Sequence, residues 1–329
     1  MERKQENLLE ISDLTVRYNT DDAVVHAVNN FNLKLTRGEA RGLVGETGAG
    51  KTTLALSILR LLPERVGQVA GGSIVYDGQE LLKLPEAEML PLRGKRISMI
   101  FQDPMTSLNP TQTVGDQILE VLNLHFPEMT RDEKIKRMEE MMTLVGIPPQ
   151  RKNSFPHEFS GGMKQRIVIA MALVAEPELL LADEPTTALD VTIQAQILEL
   201  MKQLREKFNT SVMLITHDLG VVAQFCDSVS VVYAGRVVEY GSVETVFQRR
   251  ENHPYTAGLF NCIPNLEDDQ PRLRPIPGHM ADPRVEYPGC CFADRCEYAT
   301  EQCRTEAPTM HVCGGHGILC HRYAQKEEF

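Results

Sequence analysis

Apolar and polar residues alternate loosely over residues 8–18 (LLEISDLTVRY), a period near two that predicts a β-strand. A second strand is expected over His26–Leu35, ahead of an Arg37-Gly38 turn. A third is expected over Ser73–Tyr76, before the turn signal Asp77-Gly78. These predict an antiparallel sheet. Further on come shorter strands: Glu39–Val44 (EARGLV), which ends in apolar residues, the apolar residues 97–102 (ISMIFQ) ending in Gln102, the continuous apolar run Leu179–Asp183 (LLLAD), and Ser211–Thr216. Strands that are apolar along their whole length belong in parallel sheets covered on both faces. Helical periods lie between them. Leu54, Ile58, Leu61 and Leu62 form one stripe, closed by Pro63. Thr130 and Glu133 make a capping box ahead of Ile135, Met138, Met142 and Val145, with Gly146 as the stop. Ile167, Ala170, Met171 and Val174 face inward before Pro177, and Ile193, Ile197, Leu200, Leu204 and Phe208 mark a helix over Val191–Phe208. Residues 228–242 read as a hairpin turning at Ala234-Gly235. Strands alternating with helices predict a mostly parallel α/β core.

The candidate chemistry sits at the ends of these elements. Residues 45–53 read GETGAGKTT, which fits G-x-x-x-x-G-K-[ST] between an expected strand and an expected helix. Gly45, Gly48 and Gly50 let the backbone close around a phosphate chain and point their N–H groups at it, and Glu46, Thr47, Ala49 and Thr53 complete the loop as further candidate binding residues. The helix adds its positive end, Lys51 reaches the outer phosphates and Thr52 offers a Mg²⁺ ligand. Asp183 ends an apolar strand where such sheets bind ligands, which suits an aspartate associated with Mg²⁺. Glu184 beside it is placed to orient or deprotonate water. Ser160, Gly161 and Gly162 open a helix whose exposed N-terminus suits an anion. Tyr18 ends the first strand, as an adenine-stacking ring or a half-buried strand residue. His217 follows a strand, where a lone histidine is more often structural.

Composition narrows the setting. A chain of 329 residues, 42% of them hydrophobic, suggests one large domain or two. The net charge of −11 argues against a nucleic-acid-binding surface. No apolar run approaches the roughly 18–20 residues of a membrane span, and MERKQENLLE lacks the apolar core of a signal peptide. A cytosolic location is expected, with any membrane role peripheral. Beyond about Asn252 the helical period fades and Pro, Gly and Cys become frequent. A boundary is therefore expected there, giving domains over 1–251 and 252–329.

Taken together, the motifs resemble those of the ATP-binding cassette (ABC) ATPases, in the family's order across residues 8–240. GETGAGKTT looks like Walker A, Gln102 like the Q-loop glutamine, SGGMKQR at 160–166 like the signature and LLLADE at 179–184 like Walker B with its catalytic glutamate. Ala188-Leu189-Asp190 resembles the D-loop, His217 the switch histidine and Tyr18 the adenine-stacking aromatic. Phe159 and Met163 depart from the usual LSGGQ. The resemblance implies a P-loop cassette: a RecA-like parallel core, an antiparallel β subdomain and a helical subdomain over about 104–176. It implies ATP and Mg²⁺ as ligands, with Gln102 a further Mg²⁺ contact and Glu184, His217 and Gln102 in the catalytic set. FQDPMTSLNP, DEPTTALDVTIQAQI, ITHDLGVVA and HPYTAGLFNCIP resemble the importer subunits for dipeptides, oligopeptides and nickel. The partners implied are a sister ATPase, two membrane subunits and an external solute-binding protein, with the chain on the cytoplasmic face of the membrane. Nickel or another small solute is the alternative cargo. A soluble cassette of DNA repair or translation is a third reading, and such proteins usually carry two cassettes or long coiled coils.

Six of the eight cysteines lie beyond residue 289. In a cytosolic protein, clustered cysteines suggest metal more than disulfides. Four thiolates suit zinc or an iron–sulfur cluster, and the spacing is not the ferredoxin run. Cys290, Cys296, Cys303 and Cys320 match the spacing of the family's C-terminal cysteines, where the resemblance implies a four-iron four-sulfur cluster. Cys291 and Cys313 lie close to these in sequence, and Cys226 and Cys262 read as buried thiols.

Overall fold

The protein is seen in a computed structural model, which describes residues 6–187, 189–248, 251–262 and 275–324. Ala188 of the expected D-loop, Ile263-Pro264 and residues 1–5 lie outside the described residues. The alternating N-terminal pattern forms two long strands. In β1 (Asn7–Asn19) Leu9, Ile11, Leu14 and Val16 are buried, and in β2 (Val24–Thr36) Val28, Phe31, Leu33 and Leu35 are. The step of three between Ile11 and Leu14 marks a bulge. The register shifts there, and Asp13 takes a left-handed backbone with φ 48°. Next come β3 (Ala40–Val44), β4 (Gly67–Tyr76) and β5 (Gln79–Glu80); a four-stranded sheet has the order β2-β1-β4-β5, and β3 is not part of it. β1 pairs antiparallel with β4 from Leu9 opposite Tyr76 to Tyr18 opposite Gly67. The expected strand at Ser73 is thus the end of a longer one.

The remaining strands are β6 (Ile97–Ile100), β7 (Leu179–Asp183), β8 (Ser211–Thr216), β9 (Ser228–Tyr233), β10 (Arg236–Ser242), β11 (Met310–Cys313) and β12 (His316–Leu319). Contacts divide the chain into two compact units. One holds Leu35–Ala40 and Lys83–Ile215. In it β7 runs parallel to both β6 and β8, and every residue of β7 and β8 is buried, as an uninterrupted apolar run requires. Helices Val114–His125, Arg131–Leu144 and Gly161–Leu173 pack on one another in the same unit. The capping box forms as expected: Glu133 N–H donates to Thr130 Oγ1 at 3.3 Å, and Thr130 N–H donates back to Glu133 Oε2 at 2.7 Å. Met138, Met141 and Met142 are buried, which at roughly 1.5–3 kcal/mol per buried side chain is what holds this strongly charged helix in place.

The other unit holds Leu8–Lys34, Arg41–Leu82 and the described residues from Thr216 onward. β3 runs parallel to β9, and β9 turns into antiparallel β10 at Ala234 (φ 48°) and Gly235 (φ 74°). β10 pairs in turn with β12, and β12 with β11. The cysteine-rich tail therefore extends a sheet, a pairing for which its sequence carries no alternating signal. A buried carboxylate anchors it. Glu239 is fully buried and accepts from Asn252 Nδ2 at 2.7 Å and His253 N–H at 2.8 Å, with His316 Nε2 2.8 Å away. An acid so placed requires that many partners. No helix among the described residues is long and apolar enough to cross a membrane.

Candidate active site

The phosphate loop runs from the end of β3 into the helix Lys51–Ile58. Its glycines are required by close approach as much as by conformation. A Cβ on Gly45 would lie 2.2 Å from Val232 O, and one on Gly50 (φ 94°) 2.1 Å from Ala27 O. Gly48 (φ 85°) has open space around it, so the left-handed backbone alone calls for glycine there. The Lys51 ammonium is buried beside the loop and donates to Gly45 O at 2.6 Å and Glu46 O at 3.0 Å. Thr47 and Thr52 are exposed, Thr53 is half-buried and Ala49 is buried. Gly235 N–H donates to Ala49 O at 3.0 Å, which ties the loop to the β9–β10 turn. The helix is shorter than its apolar stripe predicts. Arg60 turns left-handed at φ 53° and Leu61 N–H reaches back to Leu56 O at 2.8 Å, a closing motif that stops the helix at Ile58 and leaves Leu61 exposed. Tyr18 is half-buried, and its hydroxyl donates to Thr53 Oγ1 at 3.2 Å. This contact places the ring beside the phosphate-loop helix.

The acidic pair lies in the unit that holds β6, β7 and β8. Asp183 is 2% exposed at the end of β7. Glu184 takes a left-handed backbone, φ 48°, and its N–H donates to Ile215 O at 2.8 Å. A non-glycine residue held there is strained, and such residues cluster at working sites. Gln102 Nε2 donates to Glu184 Oε2 at 3.1 Å, and Thr187 Oγ1 donates to the same oxygen at 2.9 Å. Gln102 follows β6 rather than ending it: the strand stops at Ile100, and Phe101 is 46% exposed. Thr187 had no distinguishing sequence signal beyond standing i+3 from Glu184. His217 is exposed just after β8.

Ser160 caps the helix Gly161–Leu173 through its backbone, while its hydroxyl makes no capping bond. A Cβ on Gly162 would lie 2.7 Å from Ile193 Cγ2, so this glycine allows the helix to pack on Val191–Phe208. Phe159, in place of the usual leucine, is 5% exposed beneath the Arg151 guanidinium at 4.0 Å. Arg151 Nη1 also lies 4.0 Å from Met163 Sδ. The two departures from the usual signature thus share one arginine. Asp190 caps the helix Val191–Phe208 by accepting from Ile193 N–H at 2.9 Å.

In the cysteine-rich tail a backbone hydrogen bond joins two of the four expected ligands. Cys290 N–H donates to Cys303 O at 2.7 Å. Burial pushes the Cys290 thiol up to about 12, reinforced by Cys291, Cys320 and Cys303. Burial also raises Cys296 and Cys320, each of which feels Cys303. Cys291 is pushed up to about 11 by burial, and its sulfur turns toward Tyr233 O at 3.9 Å. Among the described residues no three His, Cys, Asp or Glu side chains are grouped to hold a metal ion. Cys290, Cys296, Cys303 and Cys320 suit a thiolate-bound group by their chemistry, but the described residues do not bring them together as a metal-binding group.

A profile of the ABC transporter family matches residues 28–187, and one for the C-terminal region of oligopeptide/dipeptide transporters matches residues 238–303. The chain belongs to the ATP-binding cassette transporter family, and it is an ATPase of that class. It is 49% identical to the oligopeptide transport ATP-binding protein OppD of Salmonella typhimurium, over 95% of this chain and 93% of that one. It is 49% identical to OppD of Bacillus subtilis over 98% and 91%. Among solved structures, cbiO1 from Clostridium perfringens aligns at TM-score 0.65 and 29% identity over 75% of this chain and 92% of that one. The ATP-binding cassette MJ0796 bound to ADP and Pi aligns at TM-score 0.64 and 28% identity, over 71% and 98%.

Proposed function

We propose that this chain powers the uptake of dipeptides or oligopeptides across the cytoplasmic membrane, working at its cytoplasmic face. The observation that carries the cargo class is the extension: its match to the oligopeptide/dipeptide C-terminal region comes with near full-length likeness to OppD proteins. The partners are a sister ATPase, two membrane-spanning permease subunits and an extracytoplasmic solute-binding protein, with no nucleic acid among them. The ATPase domain is taken as residues 1–251 and the extension as 252–329. Gly45 through Thr53 cradle the phosphates, Lys51 offsets their charge, Tyr18 stacks on the base, and Thr52, Asp183 and Gln102 serve Mg²⁺. Glu184 deprotonates or orients the attacking water, and His217 contacts the outer phosphate. Ser160, Gly161 and Gly162 face the nucleotide of the sister cassette. ATP then contacts both cassettes only when they close, so its binding favours closure and its hydrolysis removes that bias. The Gln102–Glu184 hydrogen bond supports the assignment of Gln102 as the link between hydrolysis and the permeases.

Peptides should stimulate ATP hydrolysis by the chain reconstituted in liposomes with its permeases, sister ATPase and binding protein. Stimulation by nickel alone would move it to the metal-transporting branch of the same family.

Cys290, Cys296, Cys303 and Cys320 are the residues that would hold a four-iron four-sulfur cluster. A bound cation would offset the cost of burying thiolates at Cys290, Cys296 and Cys320, whose thiols burial pushes up. Protein purified without oxygen should contain about four irons and matching sulfide per chain. One zinc and no iron would assign the thiols to zinc.

A further inference from the structure

Glu46 is held from three sides, and two of the contacts come from the extension. Its carboxylate takes a two-pronged pair from Arg295, with Nη1 to Oε2 at 2.7 Å and Nη2 to Oε1 at 3.1 Å. Its backbone N–H donates to the Tyr255 hydroxyl at 3.0 Å. Its carbonyl accepts from Lys51 Nζ at 3.0 Å. Glu46 stands at a position of the phosphate-loop motif where the pattern accepts any residue, so binding phosphate does not by itself require an acid there.

Arg295 is set by its own surroundings. Its side chain is 5% exposed, Nε donates to Pro277 O at 2.9 Å, and the guanidinium lies 5.7 Å from the Tyr233 ring and 6.0 Å from the Phe292 ring. Tyr255 is fully buried, its ring 4.7 Å from Tyr233 and 5.5 Å from Phe292. Both side chains are therefore rigid before they meet the loop. A planar arginine fork on a carboxylate fixes orientation as well as charge.

We propose that Arg295 and Tyr255 brace the phosphate loop through Glu46, so that the C-terminal extension sets the affinity for ATP. With its N–H, carbonyl and carboxylate all engaged, the Glu46 peptide has one orientation. That orientation fixes where the loop presents Lys51 and its amides. Arg295 and Tyr255 are positioning residues, acting on the nucleotide through the loop. The proposal rests on residues 45–53 being the phosphate loop.

The test is titration of the full-length chain with a fluorescent ATP analogue, reading both the dissociation constant and the fraction of binding-competent sites. Arg295→Met removes the fork and keeps the stem, and Tyr255→Phe removes one hydroxyl and keeps the ring. Each should weaken binding, Arg295→Met about tenfold and Tyr255→Phe about threefold, with the competent fraction unchanged. Adding Glu46→Gln to Arg295→Met should weaken binding no further, because the two act through one contact. A merely structural role would lower the competent fraction and leave the dissociation constant alone, and that result overturns the brace. Replacing the buried Arg295 can unfold the protein, and Tyr255→Phe then decides the question alone. Lys51→Ala is the control. If it too binds like the wild type, the phosphate-loop reading fails. If it abolishes binding while both brace variants bind normally, only the brace fails.

Discussion

Glu184→Gln is expected to reduce ATP turnover of the assembled transporter by about 10²–10⁴-fold, the usual contribution of a positioned general base, while leaving ATP binding intact. The substitution keeps the shape of the side chain. Its amide oxygen can still accept from Gln102 and Thr187, which now lie 3.1 Å and 2.9 Å from Glu184 Oε2. The strained backbone at φ 48° belongs to either residue. Only the basicity is lost, so the effect should fall on the chemical step. Single-turnover hydrolysis and retention of labelled ATP on the variant separate the two. Wild-type turnover would remove Glu184 as the base.

Lys51→Ala should cost at least about 10²-fold in ATP affinity. A unit charge 4 Å from a phosphate oxygen is worth on the order of 4 kcal/mol at the effective dielectric of a protein surface. Two or more phosphate charges share the one ammonium, and alanine supplies none. The variant also deprives Gly45 O and Glu46 O of the donor that holds them at 2.6 Å and 3.0 Å. Loss of a donor to a buried carbonyl costs about 1–3 kcal/mol. Some loss of thermal stability without ligand should therefore accompany the loss of binding. Equilibrium titration paired with thermal melting measures both, and affinity within twofold of the wild type would exclude Lys51 from phosphate contact.

Much of the candidate site was legible because its signals are local. The phosphate loop needs glycines at fixed offsets, and the structure gives each a reason: Val232 O stands against Gly45 and Ala27 O against Gly50. The capping box of Thr130 and Glu133 spans three residues and was visible for the same reason. At the ends of elements the apolar pattern overreached. Leu61 and Leu62 continue an apolar stripe, yet the chain turns at Arg60, and Phe101 continues an apolar run beyond the end of β6.

The sequence by itself determined which residues are the candidates for phosphate and acid chemistry, because motif spacing and strand-end placement are properties of neighbouring residues. It also determined the alternating and continuous strands, because side-chain direction follows the backbone period. The tertiary structure alone decided what long-range pairs join. Arg295 meets Glu46 across 249 positions, and His316 meets Glu239 across 77. β12 finds β10 without any alternating signal of its own. Those pairings depend on which buried charge and which sheet edge the folded chain presents. A buried carboxylate must be partnered and a sheet edge accepts any strand of suitable register, so neither choice is written in the residues on one side alone.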